Sequence, residues 1–137
     1  MKVLLALLLA LEEAIVAVSA SGPVSLLEVR WAKEMGLAAK NASVITVAED
    51  IVLSRVVLQR YQETYAVKEE EMAPYLKRAE QLRLPASFYK PFIKGFILLS
   101  RVKQLKFGAD EKTYLMWRKS ELKRQGFKVI FSPPLQK

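Results

Sequence analysis

The sequence predicts an all-α fold: a helical bundle of about five to six helices, with an apolar N-terminal helical arm and a short extended C-terminal tail. Three observations predict it. Apolar residues recur at helical spacing along most of the chain, and the breaks between those stretches carry helix-start and helix-stop residues. The 137 residues, 52% of them apolar and none a cysteine, suffice for one core without a disulfide framework. Residues 1–137 therefore read as a single helical domain, with 1–20 as the N-terminal arm and 127–137 as the tail.

The first element is KVLLALLLALEEAIVAVSA. Lys2 ahead of an apolar run resembles a secretory signal. Glu12 and Glu13 in its middle argue against spanning, because an acid at the centre of a membrane span costs about 2.5 kcal/mol or more. As a helix the stretch is apolar nearly all round, with Leu4, Leu8, Leu11, Ile15 and Val18 on one side. Such a helix is buried in its own core, against a neighbouring subunit, or on lipid. We assign those five residues to a subunit interface.

Ser21-Gly22-Pro23 breaks the chain, and Pro23 is placed to open a second helix running to about Lys40. Asn41-Ala42-Ser43 is a turn and matches a glycosylation sequon; the VITV after it is compatible with a short strand as well as a helix start. Thr46 and Glu49 form a capping box for a third helix, whose stripe is Val47, Ile51, Leu58, Tyr61 and Tyr65. Arg55 and Arg60 find local partners in Glu49, Asp50 and Glu63. The run 68–71 is a solvated loop or helix end, its acids pointing away from any polyanion. Pro74 opens a fourth helix that Pro85 ends.

The next two helices carry the functional clue. The first runs from an N-cap at Ser87 to Gly108, with Pro91 tolerated in its first turn and Gly95 permitting close packing; the second runs from Asp110 to Gly126. At about 100° per residue, Lys90, Lys94 and Arg101 fall in one sector, opposite Phe88, Phe92, Phe96, Leu99 and Val102. Lys112, Lys119 and Lys123 align likewise on the second helix, beside an apolar side with Leu115 and Leu122. Tyr114 and Trp117 read as core aromatics. After Gly126, FKVIF is β-prone and Pro133-Pro134 enforces an extended tail.

The formal charge of +8 lies in the second half: residues 1–68 balance at seven bases and seven acids, whereas 69–137 hold fifteen bases and seven acids. Between residues 81 and 109 there are six bases and no acid. A solvated surface would intersperse Glu, so the one-sided charge points to a polyanion. The predicted phosphate-contacting residues are Lys77, Arg78, Arg83, Lys90, Lys94, Arg101, Lys103, Lys106, Lys112, Arg118, Lys119, Lys123, Arg124 and Lys128. With no histidine or cysteine, imidazole bases and thiolate sites are excluded, and no phosphate loop, GxSxG elbow or HExxH helix is present. The chain reads as non-enzymatic and needing no cofactor. Its Lys- and Glu-rich, asparagine-poor composition leans toward a hyperthermophile.

In length, helix content, composition and the stripes of Lys90, Lys94, Arg101, Lys112, Lys119 and Lys123, the chain resembles the small helical major capsid proteins of filamentous and rod-shaped archaeal double-stranded DNA viruses. It departs from the rod-shaped members, whose DNA-contacting charge lies toward the N-terminus, and is closer to an enveloped filamentous relative with two alternating capsid proteins. The resemblance implies a virion subunit that wraps A-form DNA, pairs with an identical or related subunit in a helical assembly, and contacts a lipid envelope. Two other expectations stand beside it. A chromatin-like or regulatory DNA-binding protein would use the same basic helices, and a membrane-surface or secreted protein would set a basic face on anionic lipid.

Overall fold

The computed structural model describes residues 14–131. It is a mainly α-helical bundle of five α-helices with a small three-stranded sheet. In chain order the elements are β1 (Ile15–Val18), β2 (Val24–Ser25), α1 (Leu26–Glu34), α2 (Val44–Tyr61), α3 (Glu69–Gln81), α4 (Ala86–Val102), a π-helical turn (Lys103–Phe107), α5 (Glu111–Arg124) and β3 (Lys128–Val129).

The predicted N-terminal helix is corrected where it can be described. Ile15–Val18 is a strand, the middle of a sheet ordered β2-β1-β3. Its residues are β-branched apart from Ala17, a composition that suits a pleated ribbon better than a helix. The Leu-rich part holding Leu4, Leu8 and Leu11 lies outside the described residues. Both neighbours of β1 are antiparallel, with Ile15 opposite Ser25 and Val18 opposite Lys128. The β-prone segment after Gly126 thus pairs within its own chain.

Helix boundaries follow local chemistry that the sequence reading placed a few residues away. Ser25 caps α1 through a reciprocal box with Glu28, and the helix ends at Glu34 rather than near Lys40. Ser43, not Thr46, caps α2: its hydroxyl accepts from the Thr46 backbone N–H at 3.1 Å. The VITV segment is accordingly the first turn of α2 and not a strand. Helix α3 starts at Glu69, five residues before Pro74, because the acids Glu69, Glu70 and Glu71 favour the positive end of the helix dipole. Pro74 then sits inside the helix, where it cannot donate to the Glu70 carbonyl. Pro91 has the same relation to α4, whose N-cap is Pro85 rather than Ser87. Asp110 and Gly126 bound α5 as expected, with Gly126 in the left-handed region at φ 64°.

Helix α4 is central. Phe96, Leu98, Leu99 and Val102 join the main core of Val16, Val24, Val29, Ile51, Leu53 and Val57, while Tyr89 and Ile93 pack with Met35, Met72 and Ala79. It crosses α2 at Gly95, where an added Cβ would lie 3.0 Å from the Ser54 carbonyl oxygen. The close packing expected of Gly95 is therefore present. An aromatic ladder, Trp31–Phe88–Phe92–Phe96, lines one flank at centroid spacings of 4.9, 5.0 and 5.3 Å. No helix among the described residues is long and apolar enough to cross a membrane.

Candidate nucleic-acid interface

The two basic helices are joined through the π-helical turn. Both flank α2, and α5 is held there largely by charge. Arg118, with 13% of its side chain exposed, reaches Asp50 at 2.5 Å and Glu49 at 3.5 Å. Burial opposes its charge, but Asp50 and the Tyr114 hydroxyl outweigh that and raise the guanidinium pKa. On the other flank the buried carboxylate of Glu121 accepts from Arg60 at 2.8 Å and from Arg124 at 3.4 Å. Tyr114 and Leu122 are buried, and Trp117 stacks on Tyr114 and lies tilted against Phe107. These aromatics belong to the core, as their spacing indicated, and are not free to stack on bases. Arg55 pairs with Glu28 at 2.9 Å rather than with an acid of its own helix.

This anchoring leaves the outer face of α5 open. Lys112, Lys119 and Lys123 are exposed, and no ion-pair partner is found for them among the described residues. Leu115 and Met116 stand between them, 54% and 64% exposed. Leu115 was expected on the buried side of α5; α2 instead takes the side of Tyr114, Arg118 and Glu121. Below this face a groove of about 320 Å³ is lined by Glu49, Leu115, Arg118, Lys119, Leu122, Lys123 and Phe127.

The α4 stripe is less open. Lys90 is exposed and Lys94 half-buried, both without an ion pair among the described residues. Arg101 is not free: it donates to the Ala66 carbonyl and chelates both oxygens of Glu71 at 2.5 Å. The Arg101 hydrogen bond holds the Glu71 carboxyl below its ordinary pKa. Glu71 of α3 therefore lies beside the basic stripe, contrary to the expectation that the acids of this run would point away. The π-helical turn redirects the next two lysines. Lys103 lies 4.8 Å over the Tyr114 ring and 3.7 Å from Glu111, and Lys106 donates to the Tyr61 hydroxyl at 2.7 Å.

The other predicted bases are spread over the surface. Lys77 is exposed on α3, and Arg83 is exposed in the α3–α4 turn with a left-handed φ of 60°. Arg78 donates to the Met35 carbonyl at 3.3 Å, and a Cβ at Gly36 would collide with its guanidinium. Lys128 lies exposed on β3. At the interface positions predicted near the N-terminus, Ile15 is 37% exposed and Val18 half-buried.

Protein-family models, curated proteins and solved structures give no match to this chain. Two features of the surface escaped the sequence reading. Arg60 is turned to Glu121 across the α2–α5 contact, for which the sequence holds no local signal; and Met116, about 40° around the helix from Lys112, belongs by projection to the lysine sector.

Proposed function

We propose that this chain is a non-catalytic structural subunit that coats nucleic acid by gripping phosphate without reading sequence. The observation that carries the proposal is the outer face of α5, where Lys112, Lys119 and Lys123 project along one exposed sector while the helix is pinned from behind by Arg118 and Glu121. Lysines in that state release counterions when they meet phosphate, which drives binding without a base code. Lys90, Lys94, Lys77, Arg83 and Lys128 supply further exposed or half-exposed charge. On the resemblance to filamentous archaeal capsid proteins, the duplex is DNA in the A form, the partner is an identical or related subunit, and the assembly is a virion core inside a lipid envelope. Electron microscopy of the purified protein with and without random-sequence duplex DNA tests this. DNA-dependent filaments of uniform width are expected; discrete particles at saturating DNA would reject it.

Leu115 and Met116 favour a second reading, in which the α5 face inserts into the headgroup region of an anionic membrane. Flotation with anionic vesicles in the absence of DNA separates the two. A protein that floats and leaves DNA unbound has the membrane function.

A further inference from the structure

Arg60 lies in the last turn of α2 and Arg124 ends α5, where cations are favoured by both helix dipoles. Between them lies Glu121, whose side chain is 5% exposed, against 38% for Arg60 and 66% for Arg124. Both guanidiniums meet at one carboxylate oxygen, Arg60 Nη1 at 2.8 Å and Arg124 Nη1 at 3.4 Å, while Arg60 Nη2 reaches the second oxygen at 3.5 Å. Two guanidiniums repel at such close quarters unless an anion lies between them. A buried carboxylate is itself costly unless paired, so the three groups stabilise one another and leave one net positive charge at the surface. Arg124 commits a single nitrogen to Glu121 and keeps most of its five N–H donors for another oxyanion. Beside Arg60, Tyr61 holds Lys106 at 2.7 Å, which places a third cation on the same side.

We infer that Arg60 and Arg124 form a fixed arginine pair that contacts backbone phosphate, with Glu121 as the positioning residue that holds it. The inference rests on the nucleic-acid reading and deepens it by naming Arg124, whose fork is mostly uncommitted, as the group that grips phosphate, while Arg60, with both terminal nitrogens on Glu121, adds charge beside it. It also predicts a sign that simple electrostatics reverses. If Glu121 were only an acid in a basic surface, neutralising it would add a positive charge and tighten binding to a polyanion. As a positioning residue it does the opposite: without it the two heads separate and their hold on phosphate loosens.

The test uses the full chain, with Glu121→Gln and Arg124→Gln singly and together, on random-sequence duplex DNA across a salt series. Glu121→Gln is expected to weaken binding about threefold or more at fixed salt and to lower the salt slope by about 0.9 for each phosphate no longer neutralised. Arg124→Gln should cost much less in the Glu121→Gln background than alone. Equal or tighter binding by a folded Glu121→Gln protein overturns the inference. If that variant does not fold, Arg60→Lys takes its place: it keeps the charge and loses the fork that holds Glu121, and wild-type affinity there overturns the pair equally. A wild-type protein that binds no duplex sinks the nucleic-acid reading itself, whereas wild-type binding with a tighter Glu121→Gln variant rejects only the arginine pair.

Discussion

Replacing Lys112, Lys119 and Lys123 together by Gln probes the α5 face without disturbing what holds α5 in place. All three are exposed and carry no ion pair among the described residues, and such surface changes usually cost under about 0.5 kcal/mol each. The anchors Arg118, Glu121, Tyr114 and Leu122 stay intact, so the melting temperature should move little. If each lysine neutralises one phosphate, the slope of log K against log salt falls by about 2.7 units, at about 0.9 per phosphate. Over a fourfold change in salt this removes roughly a 40-fold change in affinity. Fluorescence anisotropy with a labelled random duplex, together with thermal melts, measures both quantities. A folded triple variant with the wild-type slope would show that these lysines face water.

Arg101→Gln is expected to behave the other way, lowering the melting temperature while changing the salt slope little, because Glu71 and the Ala66 carbonyl already occupy the guanidinium; an intact melting temperature with a reduced slope would contradict this. The Glu71 carboxyl is held low by its hydrogen bond from Arg101, and Asp110 by those from Thr113. A depressed folded-state pKa adds stability above the ordinary carboxylate range, about pH 4, that is lost as pH falls through the lowered values. Melts should therefore be flat from pH 7 to about 5 and fall below about 4, less steeply in Arg101→Gln; identical acid limbs in both proteins would remove Glu71 from the account. Gly95→Ala should overpack the α2–α4 crossing by about 1 to 3 kcal/mol, offset by about 1 kcal/mol of helix propensity; a melting temperature above wild type would place those helices farther apart. Tyr61 should ionise below the ordinary tyrosine range because Lys106 donates to its hydroxyl, so Lys106→Gln should move the Tyr61 ionisation upward in an alkaline absorbance titration.

The helices were legible because their periodicity and their stop residues are local: α2, α4 and α5 lie where Val47, Ile51, Phe96, Asp110 and Gly126 placed them. The start sites moved because several residues compete to cap. Ser43 and Thr46 both suit an N-cap, and only the fold decides that Glu49 turns to Arg118 instead of closing a box. The strand Ile15–Val18 was missed because a continuous apolar run reads equally as buried helix or strand. The candidate surface was legible as charge but not as free charge. Whether Arg101 or Lys112 faces solvent depends on acids far away in sequence, such as Glu71 thirty residues before Arg101. Helical projection fixes which bases share a sector, not which of them another helix has already neutralised.

Binding is proposed to be electrostatic and indifferent to sequence. The most direct measurement is the affinity of the wild-type chain for a duplex and several scrambled versions of it between 50 and 200 mM salt, about the range over which phosphate binders lose most affinity. Like affinities across all sequences and a steep, linear fall of log K with log salt are expected. A flat salt dependence, or strong preference for one duplex over its scrambled forms, would contradict it.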